Sequence, residues 1–377
     1  MLLIIGGGIG GMTTALAVAQ AGFDVHVVEQ SPEFSEIGAG IQLAPNAMRA
    51  LERLGLLPAL EEVCVQPRNL IFMHADTGRR LGTVDFGPSF RRHFGQSYTV
   101  LHRGDLLEVL LAACRTHPRI TLETAREVVG VREDGEVRFA DGTRLVGDGV
   151  VGADGLWSRT RALVSNDRPH CSQYVAYRGA LPVTVDVEDE LIWIGPGKHL
   201  VQYPIRQGQL YNQVAVFRSH RYRADTDQWG TPDELIEAFA TSCAPVRTAI
   251  EAIPTDRRWP MYDRLPIDNW TKGRVTLLGD AAHPMLQYLA QGACQAIEDA
   301  ECLARHLAKQ DGDITEAFAG YQADRIGRTA QVQTIARAWG DVWHADDLIV
   351  PALRDRVLSR RLADDYTDLN WLYQGGP

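Results

Sequence analysis

The sequence predicts an α/β chain in which a parallel sheet is interrupted by a mainly antiparallel sheet and followed by a helical C-terminal segment. Three observations carry this prediction. An apolar strand at residues 2–5 runs straight into a glycine turn and a helix, residues 165–272 read mainly as strands, and a second apolar strand at 274–278 leads into a long helix. The chain divides on this reading into residues 1–164 and 273–335 for the parallel-sheet domain, 165–272 for the inserted sheet and 336–377 for the terminal helices.

With 377 residues, 45% hydrophobic and 23% charged, the chain has the makeup of a folded globular protein. A net charge of −10 argues against nucleic acid or an anionic membrane as the main partner. No apolar run approaches the roughly 18–20 residues that span a bilayer. Met1 to Ile5 meets Gly6 with no basic stretch before it, unlike a signal peptide. The six cysteines are scattered without a CxxC pair, which fits a reducing cytoplasm better than a disulfide frame or a metal site. Only glycine, at 35 residues, exceeds its ordinary share.

Gly6, Gly8 and Gly11 form GxGxxG directly after the strand Leu2–Ile5. Ile9, Met12, Leu16 and Ala19 then recur at helical spacing, Gly22 stands where a helix ends, and a second strand, Val25 to Val28, meets Glu29. Strand, tight turn, helix, strand and a trailing acid make up the full Rossmann-like dinucleotide context. Gly6 permits the turn, Gly8 lets backbone approach a pyrophosphate, and Gly11 lets the helix pack on the sheet. The helix N-terminus offers N–H groups to phosphate, and Glu29 suits ribose hydroxyls. This motif alone does not separate NAD from FAD.

Further along, Gly38 to Asn46 is dense in small residues, as where something flat lies against backbone. A helix is expected over Ala47–Leu54 and another over Leu106–Arg115, with Asp105 as its N-cap. Arg103 reads equally as a surface cation or a phosphate partner. Residues 127–131, 137–140 and 144–151 read as strands around Asp134-Gly135 and Asp141-Gly142, and Val150 to Gly155 as re-entry into the parallel sheet. Within the inserted region, Leu191–Ile194, His199–Tyr203 and Leu210–Phe217 are strands and Asp233–Ser242 a helix.

Arg274 to Asp280 is again a buried strand, Ala281 to Pro284 turns the chain, and Met285 to Ala290 is a loop. Gln291-Gly292-Ala293 opens a helix with Ala293, Ile297, Ala300, Ala304 and Leu307 on one face. Asp280 at a strand end can bind a ribityl or ribose hydroxyl. Gly292 and Ala293 would let a flat ring rest on a positive helix end. His283 reads as a structural hydrogen-bonder rather than a base.

Taken together, the GxGxxG turn with Glu29, Gly152-Ala153-Asp154-Gly155 with Ser158 and Arg161, and Gly279-Asp280-Ala281-Ala282-His283-Pro284 resemble the class A flavoprotein aromatic hydroxylases. The resemblance spans nearly the whole chain and implies a para-hydroxybenzoate hydroxylase-like fold and a single-component FAD monooxygenase. It implies that Gly8, Gly11, Glu29, Gln30, Arg103 and Asp280 bind FAD, with Gln42, Val128, Gly292 and Ala293 as further contacts. Asp154 and Gly155 would serve both FAD and a passing NADH or NADPH. A nicotinamide would reduce the flavin, which then delivers oxygen from O2 to an aromatic ring.

Leu286-Gln287-Tyr288-Leu289, Trp339 to His344 and the Tyr366–Tyr373 tail are similar to the 3-hydroxybenzoate 6-hydroxylases, which form gentisate. That resemblance implies that His199, Tyr203 and Gln287 line the substrate. Met285 departs from the pattern, where a second Pro is expected. Imidazole titrates near neutrality, so His199 suits a general base for the phenol. His199 and Tyr203 share strand parity and should point to one face. Salicylate, 6-hydroxynicotinate and polyketide-tailoring hydroxylases stay open as alternatives, with a non-catalytic FAD-holding scaffold more remote. Trp339, Trp343 and Trp371 fit either a homodimer interface or a cap on the protomer's own core.

Overall fold

In the computed structural model, which describes residues 1–35, 38–183, 187–223, 230–309 and 313–375, the opening strand Leu2–Ile5 is the middle of a six-stranded sheet. It pairs in parallel with Gly149–Gly152 on one edge and Val25–Val28 on the other. Both faces are covered, so all four of its residues are buried, as its uninterrupted apolar run requires. The strand Val275–Leu277 adds in parallel beside Gly149–Gly152, so the two strand-to-helix crossings open at the same sheet edge.

The first turn leaves no room for side chains. Gly6 has φ +106°, and a Cβ on Gly11 would lie 2.0 Å from the Gly6 carbonyl oxygen. The helix Ile9–Gln20 therefore rests directly on the turn that precedes it.

A seven-stranded sheet stands over this domain, in the order 259–263, 170–182, 210–218, 198–205, 190–195, 69–74, 80–85. It reaches outside 165–272 because Asn69–His74 pairs in parallel with Glu190–Gly195 and brings Arg80–Asp85 with it. Elsewhere it is antiparallel, and its register aligns one row across four strands: Arg178, Val214, Val201 and Ile192 are successive neighbours.

Several local expectations shift. The segment 144–151 splits, since Arg144–Val146 stays in a three-stranded sheet while Gly149–Gly152 joins the parallel one. The helix at 103–116 is capped by His102, whose ring accepts from the Gly104 N–H, because Asp105 is held by Arg206. The helix begun at Asp233 stops at Ala238, and the 285–290 segment contains a 3₁₀ turn, Gln287–Leu289.

The helix Ile314–His344 runs for 31 residues, N-capped by the Asp313 carboxylate. Its end brings Trp343 into the protomer's own core, in edge contact with Phe72 and Tyr288, and Trp339 packs beside it. Trp371 packs half-buried against the same core, and Tyr366 and Tyr373 close on Phe90 and Phe94.

Two glycines should respond in opposite ways. Gly11→Ala forces the opening helix off its turn and should lower stability by ~1–3 kcal/mol or more in urea unfolding. Gly327→Ala, exposed in the long helix with nothing near its added carbon, should raise stability by ~0.5–1 kcal/mol.

Candidate active site

Between the edge of the parallel sheet and the seven-stranded sheet lies a cavity of about 440 Å³. Its floor is nearly all backbone, from Gly8, Gly10, Gly40, Gly155, Gly279 and Gly292. A Cβ on Gly10 would come within 3.2 Å of the Leu278 side chain and 3.3 Å of Ala296, so glycine there lets the opening helix pack closely on its neighbours. Arg103 and Asp280 stand at this floor, and the helix Gly292–Lys309 starts on it, its positive end toward the cavity. These features fit the flat, phosphate-bearing FAD that the sequence implies: small residues against the ring, N–H groups and Arg103 for phosphate, Asp280 for hydroxyls.

Gln42 and Ala293 also line this cavity. Glu29 sits apart from it, its carboxylate accepting from Gly7 N–H and Ser31 N–H at 2.8 Å each, beside the glycine turn. Gln30 follows it and is exposed. The Val128 side chain packs among Val137, Phe139 and Leu3, away from the cavity. Asp154 also turns its carboxylate away, onto Ser158 Oγ and the N–H groups of Arg159 and Thr160, while its neighbours Ala153 and Gly155 line the floor.

The opposite wall comes from the large sheet. His199 and Tyr203 both face the cavity, as their shared parity requires, and Gln287 meets them from its 3₁₀ turn. Met285, the departure from pattern, also lines it. Ile192, Val201 and Val214 supply an apolar surface between these groups. Strand pairing places Arg178 beside Val214 in the same row. Sequence reasoning passed over this cation, although one arginine in the run Val175-Ala176-Tyr177-Arg178-Gly179 was a signal that it faces something polar.

A chain of hydrogen bonds orders the polar groups. Arg178 Nη2 donates to Gln287 Oε1 at 3.1 Å, and since a guanidinium only donates, this fixes the amide's orientation. The amide nitrogen then lies 3.4 Å from His199 Nε2 and donates to it. His199 therefore carries its proton on Nδ1, which lies 2.7 Å from Nε2 of His344, the last residue of the long helix. His344 in turn keeps its proton on Nδ1, a buried atom without a hydrogen-bond partner among the described residues. Burial pushes the His199 imidazole down to about 3, so it is neutral at pH 7. Burial and the nearby Arg103 lower Arg178 to about 10, which leaves it charged. Among the described residues no carboxylate pairs with it, and its Nε has no hydrogen bond.

His283 does not line the cavity. Fully buried, it donates from Nε2 to Asp299 Oδ2 at 2.5 Å, and the same oxygen accepts from Gly279 N–H at 3.1 Å. Arg325 Nε binds the other carboxylate oxygen at 2.7 Å. Burial alone would raise the Asp299 carboxyl, but His283 and Arg325 outweigh it and hold it at about 2. From the other side, Arg161 donates to the carbonyls of Ala281 and Ala282 at 2.9 and 2.7 Å. The turn that presents Asp280 is thus gripped on both faces.

Glu190 is buried among tyrosines, and both its carboxylate oxygens lack hydrogen-bond partners among the described residues. Burial raises its pKa to about 8, so it is largely protonated at neutral pH.

Asp299→Ala should cost ~3–5 kcal/mol in urea unfolding, because it leaves Arg325 buried without one of its partners, and should also lower the fraction of FAD retained on purification. Glu190 gives a pH signature of opposite origin. Between about pH 4.3 and 8 the unfolded chain loses a proton that the native one keeps, so stability falls by up to ~1.4 kcal/mol per pH unit as pH rises. Glu190→Gln should remove that slope, making the variant the more stable protein at pH 8.

Comparison with known proteins identifies the family. Residues 1–332 match the FAD binding domain family. The 3-hydroxybenzoate 6-hydroxylase 1 of Aquipseudomonas alcaligenes is 39% identical, covering 99% of this chain and 97% of that protein. A 3-amino-4-hydroxybenzoate 2-monooxygenase of Streptomyces platensis is 37% identical, covering 99% and 95%. The crystal structure of Klebsiella pneumoniae HpxO complexed with FAD and uric acid superposes with a TM-score of 0.88 at 26% identity, over 100% of this chain and 97% of that one. With a glycine floor shaped for a flavin and a sheet of polar groups facing it, the chain belongs to the FAD binding domain family and is an FAD-dependent aromatic-ring monooxygenase using reduced nicotinamide as co-substrate.

Proposed function

We propose that the protein hydroxylates 3-hydroxybenzoate para to its hydroxyl group, forming 2,5-dihydroxybenzoate, with NADH or NADPH and O2. The observation that carries this reading is the line Arg178–Gln287–His199 along one wall of the cavity, a cation and a base held about one amide apart. A hydroxybenzoate carries an anion and an acidic hydroxyl at a comparable separation on one rigid ring. On this reading residues 1–164 and 273–335 hold FAD, chiefly through the glycine floor, Glu29, Arg103 and Asp280, and 165–272 cover the substrate. The six cysteines are all free and three of them buried, which supports a reducing compartment such as the cytoplasm.

FAD held on the glycine floor by Glu29, Arg103 and Asp280 would supply the redox chemistry of the reaction, reduction by nicotinamide and transfer of one oxygen atom from O2. The protein's own groups do the rest. Arg178 Nε, without another hydrogen bond, takes the substrate carboxylate, and its charge sets the choice for an acid over a neutral phenol. When substrate binds, the long 3.4 Å contact from the Gln287 amide gives way, and the His199 Nε2 lone pair accepts the substrate hydroxyl and draws off its proton, which enriches the para carbon in electron density. Tyr203, which burial keeps protonated, orients the ring with its O–H, and Ile192, Val201 and Val214 exclude water from its face.

The test is consumption of reduced nicotinamide by the FAD-bound protein with 3-hydroxybenzoate, salicylate or 6-hydroxynicotinate, each product identified. Coupled formation of 2,5-dihydroxybenzoate is expected; a different preferred acid, or flavin with no aromatic-stimulated oxidation, overturns the reading. Arg178→Gln should raise KM for 3-hydroxybenzoate by roughly 10- to 100-fold, in line with loss of a charged hydrogen bond, and change little for the neutral amide analogue. His199→Ala and Gln287→Ala should uncouple nicotinamide oxidation from hydroxylation.

A further inference from the structure

The polar chain does not end at His199. Its last member, His344, also lines a second cavity of about 330 Å³, with Tyr174, Arg218, Asp341 and Asp347. Arg218, Asp341 and Asp347 are exposed, so this cavity reaches solvent. His344 does not line the first cavity, and His199 does not line the second. The two imidazoles, 2.7 Å apart, are the link between them.

We propose that His344 is the exit of a two-imidazole proton relay that carries the substrate's hydroxyl proton from the first cavity, through the second, to solvent. This rests on the hydroxylase reading of the site. The substrate O–H breaks as N–H forms at His199 Nε2. The His199 Nδ1–H breaks as N–H forms at His344 Nε2, and the His344 Nδ1 proton leaves to water in the second cavity. No electrons move, and reverse traffic returns a proton to the product oxygen and restores both tautomers.

The surroundings favour passage over storage. Burial holds the His199 imidazole low, and His344 is held well below its ordinary value by burial, His199, Arg218 and Arg354. Tyr174 stacks on His344 at 4.4 Å, Tyr288 packs edge-on to it, and Trp343 packs edge-on to His199. The cations facing His344 are Arg218, paired with Asp346 at 3.6 Å, and Arg354, paired with Asp355 at 2.9 Å and anchored on the Trp343 carbonyl at 2.8 Å. Burial first, and these cations after it, disfavour a proton held on either ring, and the exposed carboxylates of Asp341 and Asp347 line the second cavity, where they can receive it. The Nδ1 of His344 is buried and without a hydrogen-bond partner among the described residues; it stands at the far end of the chain, and the second cavity that His344 lines can supply its partner as water.

His344 acts through His199 and is a positioning residue, so the test needs a readout that packing alone would not move. The FAD-bound wild type and His344→Gln are mixed rapidly with 3-hydroxybenzoate in weak buffer containing a pH indicator. Glutamine still accepts from His199 Nδ1 but cannot pass a proton on. The variant should bind FAD and substrate within about threefold of wild type, release the substrate proton at least tenfold more slowly, and recover with added imidazole. Release at the wild-type rate overturns the proposal, as does a slow rate that imidazole leaves unchanged.

Nitrogen-15 NMR of the wild-type histidines provides a second test that needs no variant. Protons on Nδ1 of both His199 and His344 are expected, and a proton on Nε2 of either overturns the relay. Should the wild type fail to turn over 3-hydroxybenzoate while both Nδ1 protons are seen, the substrate reading fails and the relay stands.

Discussion

The turn from Gly279 to Pro284 is held from two sides, and the site depends on that grip. Asp299, with no exposed surface, binds its Gly279 N–H and His283, while Arg161 binds the carbonyls of Ala281 and Ala282. Asp299 is itself tied through Arg325 to the long helix, whose far end supplies Trp343 and His344. A buried carboxylate left unpaired would be very costly, so each partner enforces the others. The segment that presents Asp280 on the cavity floor and the segment that ends beside His199 are thereby parts of one rigid frame.

Against this floor the large sheet works by register. Side chains of one parity in four strands meet in rows, so Arg178, which is 21 positions before His199 in the chain, stands one row from it. The row between His199 and Tyr203 is apolar except for that arginine. This separation lets a cation and a neutral base share a cavity without quenching one another.

Much of the fold could be read from the chain because its signals are local. GxGxxG after an apolar strand, with Glu29 after the next, dictates one crossing, and Gly279-Asp280 after Val275–Leu277 dictates another. The shared face of His199 and Tyr203 follows from period two alone. What stayed hidden depends on partners distant in sequence. Nothing local joins Asn69–His74 to Glu190–Gly195, so the large sheet's extent was missed, and nothing local distinguishes Asp299 from any other helical aspartate. Asp105 was a sound cap by residue type, but Arg206 claims it. His344 is legible in the sequence only as the end of the Trp339–His344 stretch, since its contact with His199, at 2.7 Å, spans 145 positions.

Gly40 marks where the two walls meet. A Cβ there would fall 2.5 Å from the Tyr203 hydroxyl, and the Gly40 N–H donates to Asn212 Oδ1 at 2.7 Å, so the floor strand sits directly on side chains of the large sheet. At this point the spacing between the walls is set by a side chain that is not there: any residue larger than glycine would have to push the sheet off its floor, and the cavity would change shape with it.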